Sequence, residues 1–364
     1  MKNIVLTGGP CSGKSTALSS IKESLEERGY KVFIVCESAT ELINKGIKPF
    51  GDNKIDIYEF EKILMKYQLK KERLIRAKAR LFKNSIILYD RGVMDNKSYL
   101  NELEWHKLLS ELKLNEAKLL NRYDLVIHLV SVAYDKKEIY TTANNGARSE
   151  TVEEASLKDA LTLNCYLGHN NLKVVDNSTS FEEKISRVKN HIYANLNEPL
   201  CMNKQYKFLV DLCKSNLDYI KSIAVKSYIV QTYLKSSDDI DYRVRMKILN
   251  GNTSYYLSMK RKLNNEEEII TNKRITKLDY LHYLRYKDNN LDTIEKIRYS
   301  FKIEKEVYNL DILNNNYGIL ENETTKDINN LSLPDCLCII DSSNINLNNK
   351  EIAKKKVLSN KKHN

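Results

Sequence analysis

The residues of this 364-residue chain best spaced for chemistry come first, in IVLTGGPCSGKST, from Ile4 to Thr16. Gly8, Gly13, Lys14 and Ser15 keep the G-x-x-x-x-G-K-[ST] spacing. Gly8 and Gly13 admit backbone conformations closed to residues with a Cβ. The run Gly8, Gly9, Pro10, Cys11, Ser12, Gly13 can therefore fold into a nest of inward-turned N–H groups for phosphate oxygens. A helix beginning near Lys14 and carrying Thr16 in its first turn points its positive end at the same anion. In such a site Lys14 reaches the β- and γ-phosphates and the Ser15 hydroxyl can ligate Mg2+. The competing reading is a chance glycine turn. Against it stand a β-branched apolar run before the loop and the amphipathic stretch STALSSIKESLEERG after it.

Further candidates stand at strand ends. Asp90 closes the apolar run SIILYD, where a phosphate-loop protein needs a carboxylate for Mg2+ or its water. Without the loop upstream it would read as a helix cap. The triplet Asp90-Arg91-Gly92 resembles the Asp-Arg-Ser or Glu-Arg-Ser stretch of nucleoside-kinase-like proteins. In such kinases the second strand ends on a carboxylate that takes a proton from the phosphate acceptor, and Glu37 stands at that place. It serves equally well as a general base or as a helix cap. Lys136, Lys137 and Arg148, in DKKEIYTTANNGARSE, could form a lid closing over the phosphates, with Arg148 the leading candidate, or could line an exposed basic loop. Asp176, Asn177 and Ser178 come after the last strand of this half and are candidates for contact with the base. No Asn-Lys-x-Asp signature indicates guanine, so ATP and GTP remain equal possibilities.

These residues need a parallel sheet to hold them. Near-continuous apolar runs in KVFIVCES, SIILYDRG, LVIHLV (Leu125–Val130) and LKVVDNST alternate with helical stretches, the pattern of a doubly wound α/β domain. Ser180 with Glu183 forms a capping box that opens the closing helix. The domain is read as residues 1–197. NEPLCMN then serves as a linker, and from 202 to 341 the period becomes two. In DYRVRMKIL, Arg243, Arg245 and Lys247 face one way and Tyr242, Val244, Met246 and Ile248 the other. Lys260 and Lys262 share a face of their strand, as do Lys296, Arg298 and Lys302 of theirs. Two architectures satisfy this: an antiparallel sheet with one wet face, or a closed barrel with a basic interior that binds polyphosphate. Residues 342–364, rich in Asn and Lys, read as a disordered tail.

The net charge of +11 makes polyanions plausible partners without choosing among them. Nucleic acid is disfavoured, because no module interleaves these cations with exposed aromatics. Seven scattered cysteines, with Cys336-x-Cys338 the one close pair, suggest neither zinc nor a disulfide framework. With no signal sequence at the start of the printed chain and no apolar run long enough to span a bilayer, the expectation is a cytoplasmic protein. Peripheral membrane contact is compatible with the charge.

LTGGPCSGKSTAL, YDRGVMDNKSYL, YDLVIHLVSVA, NNGARSETVEEA and LGHNNLKVVDNST together resemble the AAA-type ATPase domain of the TRPL translocation defect protein family, kin to nicotinamide-riboside-kinase-like proteins. The resemblance implies a kinase-like P-loop fold that binds ATP or GTP with Mg2+. NKQYKFLV, DYRVRMKI, YLSMKRKL, IEKIRYSFKIEKEVYNLDIL and GILENE resemble the CYTH, or triphosphate tunnel, fold, which the same family carries behind its P-loop domain. By that resemblance Lys207, Arg243, Arg245, Lys260, Lys296 and Arg298 hold phosphates, and Glu321 and Glu323 help hold a divalent metal. The opening Glu-x-Glu-x-Lys of catalytic members reads Asn203, Gln205 and Lys207 here. Amides are poor ligands for a hard cation, so anion binding is expected to survive and metal-dependent hydrolysis to be weak or absent. The leading expectation is a nucleotide-switched regulatory or trafficking protein. Any NTP hydrolysis by it would be slow, and its barrel would bind a polyphosphate, triphosphate or phosphoinositide headgroup. A small-molecule kinase is the alternative, with Lys14, Glu37, Asp90 and Arg148 as its catalytic set.

Overall fold

Apolar runs of this length form strands buried on both faces, and those of the first half do so here. The computed structural model describes residues 1–135, 151–196, 204–236, 240–262, 268–304, 306–313, 316–324 and 328–341, with 350 and 353. The chain divides into two units, Met1–Lys189 and Asn190–Asn364. The division falls inside the last helix of the first half, a few residues before the linker read from the sequence.

In the first unit, β1 (Lys2–Thr7), α1 (Lys14–Glu27), β2 (Lys31–Val35), α2 (Ser38–Asn44), α3 (Ile57–Ala79) and β3 (Ser85–Asp90) succeed one another. After a 3-10 segment, Val93–Tyr99, come α4 (Glu102–Glu111), α5 (Glu116–Leu120), β4 (Leu125–Leu129), α6 (Val132–Asp135), α7 (Val152–Asn164), β5 (Leu172–Val175) and α8 (Phe181–Asn195). The strands form one parallel sheet in the order β2-β3-β1-β4-β5, the α/β architecture expected. Ile4, Val5 and Leu6 of β1 and Ile86, Ile87 and Leu88 of β3 are fully buried. Ser180 and Glu183 exchange the two hydrogen bonds of their capping box at 3.1 and 3.2 Å. Strand order reverses about β1, with β3 on one side and β4 on the other, so the crevice lies at the carboxyl end of β1. The glycine loop leaves β1 there.

The second unit runs β6 (Lys204–Asp211), α9 (Leu217–Ile223), β7 (Val225–Tyr233), β8 (Ile240–Leu249), β9 (Asn252–Lys262), β10 (Glu268–Ile275), α10 (Lys277–Leu284), β11 (Ile294–Ile303), β12 (Glu306–Ile312), β13 (Tyr317–Thr324) and β14 (Cys338–Asp341). Its nine strands form one antiparallel sheet, β10-β9-β8-β7-β11-β12-β13-β6-β14. Side chains at paired positions share a face, and the register sorts them cleanly. One face carries the apolar core. Phe208, Leu310, Leu320 and Phe301 pack with Ile220 of α9, and Val244, Tyr255 and Leu257 pack with Tyr280 of α10. The opposite face carries Lys207, Glu321, Asp311, Arg298 and Lys296, then Arg243, Arg245 and Lys247, then Ser258 and Asn272. Arg243 on β8 acts electrostatically on Glu321 on β13. Four strand-to-strand steps of about 4.8 Å separate β8 from β13, so this face is concave. No helix among the described residues is long and apolar enough to cross a membrane.

Candidate nucleotide and anion sites

The loop after β1 is shaped by what glycine alone allows. Gly8 has φ +139°, and a Cβ there would lie 2.1 Å from the Leu129 carbonyl oxygen. Gly13, at φ +87°, caps α1 and lies against the Phe181 ring, 2.6 Å from where its Cβ would stand. Gly8→Ala is expected to destabilise the first unit by about 3 kcal/mol. Calorimetry would show a lowered melting temperature; an unchanged one would mean the loop does not depend on this turn.

Helix α1 has no side-chain cap and no acidic residue in its first turn. Its leading N–H groups, at Lys14, Ser15 and Thr16, are therefore offered to an anion, and Ser15 and Thr16 are exposed. Lys14 Nζ donates to the carbonyls of Gly8 (2.8 Å) and Gly9 (2.9 Å) and to Ser12 Oγ (3.0 Å). Burial, and then Arg91, lower its pKa to about 8 against the pull of Asp90, Glu37 and Asp95. Phosphate oxygens are stronger acceptors than these carbonyls and would raise it again.

Beside the loop lies a charged cluster. The side chain of Asp90, half-buried at the end of β3, makes no hydrogen bond or ion pair among the described residues, and burial and Glu37 raise its pKa. Arg91, at φ +67°, donates to Glu37 and lies 3.5 Å from Asp95. Asp95 in turn accepts from Thr7 Oγ1 at 2.9 Å and from Tyr166 OH at 2.6 Å. Burial would raise the Glu37 carboxyl, but Arg91 and the Thr40 hydroxyl hold it at about 2. At that value it has little affinity for a proton and is a poor general base. It heads α2 without accepting a cap bond from the backbone. The reverse environment surrounds Glu61 of α3, which is 2% exposed and pushed to about 8 by burial.

Three residues that the sequence did not single out support the loop from outside. Asp159 of α7 accepts from Gly9 N (2.6 Å) and Ser131 N (3.2 Å) and faces His128 Nε2 at 3.3 Å. Ser131 Oγ donates to the Pro10 carbonyl. Lys184 of α8 donates to the Ser12 carbonyl (3.1 Å), the Val130 carbonyl (2.7 Å) and Asn177 Oδ1 (2.6 Å). Burial lowers its pKa to about 7. The residues expected near a base are committed to this support. Asp176 pairs with Arg187 at 2.9 Å and accepts from Ser178 Oγ at 2.6 Å, and Asn177 donates to the Ser131 carbonyl at 3.1 Å. Ser178 is exposed. Arg148, Lys136 and Lys137 lie outside the described residues.

On the concave face of the second unit the cations divide into two groups. Lys296 and Arg298 are neutralised within the protein. Lys296 donates to Asp311, and Arg298 reaches Asp311 at 2.5 and 2.6 Å and Glu321 at 2.6 Å. Lys207 stands 3.7 Å from Glu321. Burial would raise the Glu321 carboxyl, but Arg298 and Lys207 hold it well below its usual range. Arg245 instead bonds neutral partners, Ser258 Oγ and Asn272 Oδ1, both at 2.9 Å. The buried Nε groups of Arg243 and Arg245 have no hydrogen-bond partner among the described residues. Burial, Arg298 and Arg245 lower Lys247 to about 7. A plain wet face would leave such side chains in water, yet Lys247 is 5% and Lys296 4% exposed. Lys260 is half-buried and pairs in register with Asp241, which also meets Lys350.

Glu323 is exposed and Glu321 is committed to Arg298, so the two carboxylates expected to share a metal are not both free to do so. No group of three His, Cys, Asp or Glu among the described residues could hold a metal ion. Asn203 lies outside the described residues, and Gln205 pairs with Glu323 through the backbone. Of 342–364, only Lys350 and Ala353 are described, and Ala353 is buried against Tyr233, Leu291 and Ile294.

A glycine loop that runs into an uncapped helix, at the switch point of a five-stranded parallel sheet, defines a P-loop α/β domain. Residues 3–184, half of the chain, match the family described as an AAA domain, and the chain belongs to that family. Such a domain implies nucleotide binding. No curated protein matches the chain. Among solved structures, an inorganic triphosphatase, NE1496, is similar at 20% identity over 41% of this chain and 96% of its own, with a TM-score of 0.30. The PH1819 protein of Pyrococcus horikoshii OT3 is similar at 17% identity over 35% of this chain and 81% of its own, with a TM-score of 0.27. Its PH1012 protein matches at 16% over 33% and 78%, with a TM-score of 0.25. These likenesses are weak, and the chemistry of the second unit rests on its own residues.

Proposed function

We propose that the first unit binds ATP or GTP with Mg2+ and that the second binds a separate polyanion on the β8 wall of its concave face. The observation that carries the second half is the pair of buried guanidinium Nε–H groups of Arg243 and Arg245, neither with a hydrogen-bond acceptor among the described residues. Burying cations is costly, and multivalent phosphate oxygens supply negative charge and the acceptors that these two Nε–H groups lack. The Ser15 hydroxyl and the Asp90 carboxylate suit the Mg2+ that accompanies a nucleotide, because neither is spent on a side-chain partner among the described residues. That ion would offset phosphate charge. With Glu321 committed to cations and amides at 203 and 205, the second unit would bind its anion without hydrolysing it. Triphosphate, polyphosphate and a phosphoinositide headgroup share this chemistry.

Calorimetric titration of the full chain tests the proposal. MgATP and tripolyphosphate should each saturate a site, and tripolyphosphate should still bind under saturating MgATP. Competition for one site would overturn it. A nucleotide-switched regulatory or trafficking role further requires that MgATP change the tripolyphosphate Kd, the coupling such a switch must have.

The second unit's binding should also depend on pH. Lys247 carries its proton at pH 6 and has largely lost it by pH 8, and a bound anion favours the charged form. Affinity for inositol hexasulfate, whose sulfate esters do not titrate, should fall up to about 10-fold from pH 6 to 8. Measured in a Lys14→Ala background, the slope should flatten in Lys247→Met; an unchanged slope assigns the titration elsewhere.

A second reading, phosphoryl transfer to a small hydroxyl-bearing acceptor, is favoured by the Glu37–Arg91–Asp95 cluster beside the loop. The weak basicity of Glu37 weighs against it. ADP release from ATP that depends on one member of a nucleoside panel would support it.

A further inference from the structure

Lys184 holds the phosphate loop through the Ser12 carbonyl. It sits on α8, is 2% exposed, and uses three donor hydrogens on three acceptors. None is a carboxylate; Asp159 and Asp176 act on it only through space. A buried cation with no ion-paired carboxylate costs stability, offset here by the three hydrogen bonds it donates.

We propose that Lys184 is a positioning residue of the nucleotide site, turning the Ser12–Gly13 peptide so that its N–H faces the bound phosphate. This rests on the nucleotide reading of the loop. A trans peptide points its carbonyl and its N–H in opposite directions. Lys184 draws the Ser12 carbonyl outward, toward itself. The Gly13 N–H, pointing the opposite way in the same peptide plane, is thereby aimed inward.

The neighbouring support obeys the same logic. Ser131 takes the Pro10 carbonyl, which leaves the Cys11 N–H pointing the opposite way in the same peptide plane. Asn177 holds both partners, accepting from Lys184 and donating to the Ser131 carbonyl. Asp159 binds Gly9 N, fixing the start of the loop from behind. These anchors come from α7, α8 and the end of β4, so the loop is set before a ligand arrives, which lowers the ordering cost of binding. The nucleotide's phosphates also supply the counter-charge that the buried ammonium lacks.

The test compares wild type, Lys184→Met and Lys184→Gln as full chains. MgATP and tripolyphosphate affinities are measured by calorimetry, and melting temperatures alongside. Lys184→Met should weaken MgATP by about 10- to 100-fold in the folded fraction and leave tripolyphosphate affinity unchanged, with any fall in melting temperature reporting the three acceptors it strands. Lys184→Gln, with two donors, should recover part of the MgATP affinity. A purely structural lysine would show a lowered melting temperature with unchanged MgATP affinity in the folded fraction, and that overturns the proposal. So does wild-type MgATP affinity in both variants. Wild-type protein silent to MgATP and MgGTP would instead remove the nucleotide reading itself.

Discussion

Lys14→Ala is expected to weaken MgATP at least about 100-fold, a loss of about 3 kcal/mol, while tripolyphosphate binding by the second unit is unchanged. Two losses combine. The ammonium that would bridge the β- and γ-phosphates is gone, and so are the bonds by which Lys14 gathers the Gly8 and Gly9 carbonyls and Ser12 Oγ. The pH dependence separates them. Burial and Arg91 bring Lys14 to about 8. Nucleotide phosphates, already ionised there, favour its protonated form, so wild-type affinity should decline from pH 7.5 to 9.5 and that decline should be absent in Lys14→Ala. Calorimetry across this range measures both. MgATP affinity within a few-fold of wild type in the variant would show that the loop does not grip the nucleotide's phosphates.

What could be read in advance was what depends on neighbours in the chain. The loop announces itself because Gly8 and Gly13 meet their constraints within a few residues, and the capping box of Ser180 and Glu183 spans one helical turn. The parallel sheet is legible in apolar runs whose burial on both faces leaves no alternation. The concave face was likewise present in the alternation of Arg243, Arg245 and Lys247. Whether those cations face water or a closed interior stayed open, because it depends on strands that pair across long separations. For the same reason Asp159 and Lys184 carried no signal. They meet the loop across 150 and 172 residues, and nothing in "EEASLKDA" or "EEKISR" distinguishes an inward carboxylate or ammonium from an outward one. The intramolecular bonds of Asp176 and Asn177 to Arg187, Ser131 and Lys184 were hidden in the same way, because a polar run after a strand does not show what it meets. Asp311 was equally silent. Its register opposite Arg298 ties that guanidinium to a carboxylate within the protein, which is why the proposed anion site is centred on β8 rather than on the whole expected set.

Asp311→Asn should test that division most severely. Asp311 is 1% exposed and compensates two cations at once, accepting from Lys296 and taking both Nε and Nη2 of Arg298. The amide keeps the shape and removes the charge, leaving Lys296 and Arg298 to share Glu321. Removing one partner of a buried ionic network costs about 3–5 kcal/mol, which for a unit of this size is a fall of roughly 10 °C in melting temperature. Loss of packing would give a similar fall, so the sign of a second effect decides. Tripolyphosphate can replace the missing negative charge. It should therefore raise the melting temperature of Asp311→Asn by more than it raises that of wild type, because ligand binding adds stability in proportion to the affinity gained. Phe301→Ala, which opens a cavity in the apolar core on the opposite face, should lower the melting temperature without this excess rescue. Equal rescue in both variants would mean that Asp311 only packs, and that the two groups of cations do not divide the work of folding and anion binding between them.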